Sequence, residues 1–146
     1  MRNTALAAAL CLVAAQAAAE VPAGWKTHAD KSGKCQVSAP PDWKQSELGA
    51  GFVDSPDKKA HAFVDASDLP LATFKQVLLP SDQFKGAKVI KNTDSLYFAE
   101  LKGSGNGRLL YVIMARGKGA SCRTEINFDG KSADTAMKIG ESLRVK

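Results

Sequence analysis

Few residues in this chain could do covalent or acid–base chemistry, and their spacing narrows what that chemistry could be. Of three cysteines and two histidines, Cys35 sits in KCQVSAP and Cys122 in SCRTEINF. A redox pair of the thioredoxin kind needs C-x-x-C, which is absent. A catalytic thiol has to be an accessible thiolate, and both cysteines share a strand face with apolar residues, which points them inward. His28 and His61 could meet in space with Asp65 or Asp68 around a metal ion, but nothing in their spacing requires it. Asp65 and Asp68 could form a carboxylate pair, although Asp68 also stands where a helix cap belongs. The glycines of GSGNGR, Gly103, Gly105 and Gly107, lack the G-x-G-x-x-G spacing of a dinucleotide loop and are followed by a strand pattern, so they read as a hairpin loop. No G-x-S-x-G occurs. The expectation is therefore no catalytic residue, no metal and no cofactor.

The elements that must hold these residues can be traced from periodicity. In KCQVSAP, Cys35, Val37 and Ala39 share one strand face; in SCRTEINF, Cys122, Thr124, Ile126 and Phe128 do the same. Two inward cysteines on separate strands can form one bridge, or stay two buried free thiols acting as small hydrophobes. A bridge would close a loop of about 87 residues, for which chain entropy allows at most roughly 4–5 kcal/mol. Pro40 and Pro41 end the first of these strands, since proline has no N–H for a ladder, and Trp43 follows as an apolar anchor. GFVDS and KAHAFVDAS read as the next strands, across the turn SPDKK. DLPLATFKQVLL reads as a helix capped by Asp68, with Pro70 in its first turn and an apolar stripe of Leu71, Phe74 and Leu78. AKVIKNT, SLYFAELKG, RLLYVIMARG and SCRTEINF then form a meander with short polar links. RLLYVIMA is apolar on both faces, which places it mid-sheet with a layer on each side. KSADTAMKIGESLRVK reads as a last helix, with Ser132 as its cap and Arg144 and Lys146 at its carboxyl end.

The start of the chain has a different logic. MRNTA supplies one positive charge, LAAALCLVAA is an unbroken apolar run, and AQAAAE offers the small-x-small pattern of a signal-peptidase site at Ala17 and Ala19. The run is shorter than the roughly 20 residues of a spanning helix. Residues 1–19 are read as a cleaved secretory leader, and 20–146 as a single domain in the periplasm or outside the cell. Such compartments are oxidising and tolerate a disulfide. Losing Arg2 takes the formal charge of +5 down by one. The remaining basic residues are scattered, with no run longer than Lys58–Lys59, which argues against a nucleic-acid footprint. No later apolar run is long enough to span a membrane. Oligomeric state has no signature in the sequence.

Two stretches together resemble a known family. APPDWK after a short strand and ADTAMKIGESLRV after the last strand are similar to the proline–tryptophan turn and terminal helix of PsbP-like proteins. The order of elements between them also fits. That resemblance, shared with Mog-type Ran-binding proteins, implies an α+β fold: an α/β/α sandwich with a mainly antiparallel central sheet of six to seven strands and two helices. It implies an accessory protein that binds a larger assembly, with no shared catalytic set to carry over. The expected function is thus an exported, non-catalytic binding module whose partner is another envelope protein; the alternative is a periplasmic small-ligand or lipid-binding protein, and behind it a hydrolytic enzyme. Among the aromatic residues, Trp25 stands before the first strand pattern and is the candidate partner contact, because Trp is favoured at interface hot spots. Trp43 and Tyr111 are expected in the core.

Overall fold

The computed structural model describes residues 19–105 and 107–146. Of the expected leader, only Ala19 falls within them.

Ten strands and two α-helices follow one another among the described residues. They are β1 (Lys26–Ala29), β2 (Cys35–Ala39), β3 (Lys44–Gln45), β4 (Phe52–Asp54), β5 (His61–Ser67), α1 (Leu71–Leu78), β6 (Lys88–Asn92), β7 (Leu96–Lys102), β8 (Leu109–Arg116), β9 (Ser121–Phe128), α2 (Ala133–Glu141) and β10 (Arg144–Val145). Seven of the strands make one antiparallel sheet in the order β3-β4-β5-β9-β8-β7-β6; the other three make a small sheet in the order β1-β2-β10. The α+β sandwich expected from the sequence is the fold observed.

Strand alternation builds the layers. On β8, Tyr111 and Ile113 join a cluster with Cys35, Val37, Ile126, Phe128 and Ile139, under α2 and the small sheet. Val112 and Met114, between them, join Leu71, Phe74, Phe84 and Tyr97 under α1 and the short 3-10 turn Asp82–Phe84. This is why RLLYVIMA is apolar throughout: the strand is covered from both sides. α2 lies close to the sheet because Gly140 leaves room; a Cβ there would come within 2.6 Å of the Ile113 side chain.

Several local expectations need correction. The Cys35 strand belongs to the small sheet, whose other two strands were not visible in the sequence. The segment before Cys35 contains β1, ahead of the first strand pattern read from the sequence. KTHA has no apolar alternation and is placed by its pairing, from Lys26 opposite Ala39 to Ala29 opposite Gln36. The terminal helix stops at Glu141 instead of running on, because Arg144 and Val145 pair with Gln36 and Cys35. The Arg144 guanidinium still serves the helix end, donating to the Glu141 and Leu143 carbonyls at 2.7 and 2.8 Å. Lys146 does not; its backbone N–H donates to the Lys34 carbonyl. Asp68 caps nothing: Pro70 holds the cap position without a side-chain bond, and Asp68 pairs with Lys34 at 2.9 Å on the surface. Ser132 holds the α2 cap position without a side-chain bond to the helix; Asp129 caps the short 3-10 turn Gly130–Ser132 before it, accepting from the Ser132 N–H at 3.2 Å.

Candidate functional site

α1 and the 3-10 turn pack against β7 and β8. Most of the β4–β5–β9 half of that same sheet face stays open. Residues that pair across antiparallel strands point to the same side, so register alone sets out what this open face displays. Asp54 pairs with His61, and His61 with Asn127; Phe52 pairs with Phe63, and Phe63 with Glu125; Asp65 pairs with Arg123. The result is three short rows, polar, aromatic and charged.

The aromatic row is the floor. The Phe52 and Phe63 rings stand 4.5 Å apart, tilted by 31°. Arg123 bridges from the floor to the helix, its guanidinium carbon 5.7 Å from the Phe63 ring and 5.9 Å from that of Phe74 on α1. It reaches Glu125 at 3.3 Å and Asp65 at 3.5 Å, while its Nε is buried without a partner. That guanidinium marks the border between the covered and open halves.

The polar row is fixed by hydrogen bonds. His61 Nδ1 lies 2.9 Å from Asp54 Oδ1, which leaves Nε2 free at the half-exposed ring edge. At the far end Arg108 Nε donates to Asn127 Oδ1 at 2.5 Å, and its Nη2 to the Lys59 carbonyl. Asn127 Nδ2 donates to Ser104 Oγ at 2.7 Å, tying the glycine loop to the site. The loop is the β7–β8 hairpin expected from the sequence, closed by Gly103 N–H donating to the Arg108 carbonyl at 2.9 Å. A Cβ on Gly103 would meet that backbone at 2.9 Å, so its glycine serves the turn. Together these residues rim an open pocket of about 790 Å³, with Leu48 exposed at one edge.

An oriented imidazole is a possible proton carrier, but general-base work needs a proton to abstract within hydrogen-bond reach. Among the described residues the His61 side chain hydrogen-bonds only Asp54. The pocket as built can hold and orient a visiting group: an aromatic floor for apolar contact, a carboxylate–imidazole pair, an amide and a guanidinium around it.

The residues singled out from sequence are dispersed. Cys35 and Cys122 form a disulfide, with Cα atoms 5.6 Å apart and both residues fully buried. It joins β2 of the small sheet to β9 of the large one and removes both thiols from any other chemistry. His28 is on β1 in the small sheet, opposite Val37 and on the same core-facing side. Its Nε2 is buried with no partner, and burial, assisted by Lys26, holds its pKa below the ordinary value. His28 and His61 are on different sheets, Asp65 faces Arg123, and Asp68 is taken by Lys34. Among the described residues no three His, Cys, Asp or Glu gather where a metal could sit. Trp25 is half-buried against the main core, across the large sheet from the Phe52–Phe63 floor. Trp43 and Tyr111 are core residues, as expected. The pocket was missed as a site, although HAFVD and RTEIN carried its signal: each strand places unusual chemistry on the face opposite its apolar one.

The sequence matches no family model and no curated protein. Solved structures do match. A protein from Bacteroides thetaiotaomicron VPI-5482 superposes with a TM-score of 0.59 at 15% identity, over 83% of this chain and 48% of its own. This chain thus spans about half the length of that protein. The solution structure of a cyanobacterial PsbP (CyanoP) from Synechocystis sp. PCC 6803 superposes with a TM-score of 0.50 at 13% identity, over 84% of this chain and 92% of its own. At such identities the likeness defines a class by fold alone: the chain has a PsbP-like α/β/α sandwich. No helix among the described residues is long and apolar enough to cross a membrane.

Proposed function

We propose that this chain is an exported, non-catalytic accessory module that docks another protein of the cell envelope on the open half of its large sheet. The observation that carries the reading is the uncovered Phe52–Phe63 floor, ringed by polar groups already fixed by hydrogen bonds. Such a surface costs little ordering on binding, and rigid aromatic residues inside a polar rim are how protein contacts gain affinity. A buried disulfide suits an oxidising compartment, in keeping with removal of residues 1–19 and a periplasmic or secreted domain over 20–146. The PsbP-like fold is compatible with an accessory role, and Trp25 enters the proposal as a separate contact beside the small sheet.

The test is a cross-linked capture from the native envelope with the exported protein as bait, comparing wild type, Phe63→Ser and Trp25→Ala. Repeated recovery of one protein, lost with Phe63→Ser in a bait that still melts cooperatively, supports docking on the open face. Recovery unchanged by Phe63→Ser moves the contact elsewhere; loss only with Trp25→Ala moves it to the small sheet. Turnover of any substrate that disappears with His61→Ala would replace the accessory reading by an enzyme.

A further inference from the structure

A second cavity, of about 770 Å³, lies on the opposite face of the large sheet, between the end of α2, β10 and the β6–β7–β8 edge. Phe98, Ile113, Leu96 and Met137 make it apolar inside. Its charged rim is unbalanced: Lys91, Arg116 and Arg144 face a single acid, Glu141. Neither Lys91 nor Arg116 has an anionic partner among the described residues.

Two local features aim this rim at the cavity. The β6–β7 register slips between Val89 and Lys91. The extra residue is Ile90, and a bulge of this kind re-aims side chains at a strand edge; Ile90 and Lys91 both reach the cavity. Arg144 is held from behind, its Nη1 spent on the carbonyls that end α2. Its Nη2 donates to the Ala19 carbonyl at 3.0 Å, an exposed bond to an acceptor that leaves the chain if cleavage follows Ala19. A guanidinium edge so placed suits a carboxylate.

We infer that this cavity binds a free medium-chain fatty acid, its acyl chain along Ile90, Leu96 and Phe98 and its carboxylate at the Arg144–Arg116–Lys91 rim. The volume lies within the roughly 300–1,000 Å³ of small-molecule sites, and an apolar interior with a few placed polar groups is their usual make-up. The excess of cations selects an anionic headgroup over a neutral one. This site is separate from the open face across the sheet, so either can fail without the other.

The experiment is calorimetric titration of the exported protein with dodecanoate and, in parallel, with dodecanol. Saturation at one dodecanoate per chain is expected, with dodecanol weaker by about tenfold, the worth of one charge-assisted contact. Arg116→Glu and Ile90→Glu, both at exposed positions, are each expected to weaken dodecanoate by about tenfold or more, while Val77→Ser on α1 leaves it unchanged. Absence of saturation, equal affinity for the alcohol, or wild-type binding by both glutamate variants would overturn the assignment. So would a preference for a lysophospholipid over dodecanoate in the same assay.

Discussion

The two faces of β9 differ sharply. Toward α2 and the small sheet stand Cys122, Thr124, Ile126 and Phe128, all fully buried. Even the hydroxyl of Thr124 is satisfied there, by the Phe63 carbonyl at 2.8 Å. On the other side, one residue out of step, stand Arg123, Glu125 and Asn127, all partly exposed and all engaged in polar contacts. The same backbone and ladder support both. What separates them is what covers them: α2 closes one face, whereas α1 stops short on the other. The closed face is fully packed, and the open one displays groups that are only partly covered.

Truncating one aromatic residue on each side would test that contrast most strongly. Phe128→Ala leaves a cavity that neighbours locked by the disulfide cannot fill, and should cost about 3–5 kcal/mol. Phe63→Ala removes one ring of a half-buried pair and should cost about 1 kcal/mol. Denaturant midpoints of the two variants measure the difference directly, and comparable losses would end the division into a structural and a displaying face.

The disulfide comes next. Cys35 and Cys122 are separated by 87 residues, and their double replacement by alanine should cost about 2–5 kcal/mol. The loss should fall on the closed side, as faster amide exchange in β1, β2 and β10. Uniform loss of protection across β4 and β5 as well would mean that the bridge stabilises both faces alike.

How much of this contrast was legible beforehand depended on what kind of force made each part. Burial was legible. The alternation of KCQVSAP and SCRTEINF pointed both cysteines inward, and the double-sided apolarity of RLLYVIMA called for a layer on each side of the sheet. Pairing was not. β1 and β10 are held by backbone hydrogen bonds to β2, which leave no trace in side-chain pattern, so KTHA looked like a loop and the chain end like more helix. Asp68 misled because an acid before a helix is a common cap, whereas Lys34, far away in sequence, was its partner. The open pocket was hidden for a related reason: its rows are assembled across three strands, and no single stretch contains one.

Asp30 offers a smaller and pH-dependent test within the closed side. Its carboxylate closes the β1–β2 hairpin, accepting from the Cys35 N–H at 2.8 Å and from the Ser32 N–H and hydroxyl at 2.8 and 2.5 Å. Burial alone would raise its pKa, but these bonds outweigh it and hold the group below its ordinary value. A depressed carboxylate adds stability that is complete above the unfolded pKa, near 3.9, and is lost as pH falls through the folded one. Asp30→Ala should cost about 1–3 kcal/mol at neutral pH, the penalty for buried donors left unsatisfied. The variant should also unfold in acid with a shallower pH dependence than wild type. An unchanged acid transition would remove Asp30 from the account.

The smallest effect belongs to His28, where the closed side carries a flaw. The ring faces the core because it shares the side of Val37, and its Nε2 finds no partner. Burial first, and Lys26 second, lower its pKa from the ordinary value near 6.5. The unfolded chain therefore binds the proton more readily than the folded one. Stability contributed by the neutral ring is complete above about pH 6.5 and is lost as pH falls through the folded value. His28→Leu, similar in size and unable to titrate, should remove this slope and leave the protein as stable at mildly acidic pH as at neutral pH, so far as this group governs it. An NMR titration of the His28 ring gives the folded value directly. A midpoint at or above 6.5 would mean that the ring reaches water, and that the closed side is less closed at its small sheet than at β9.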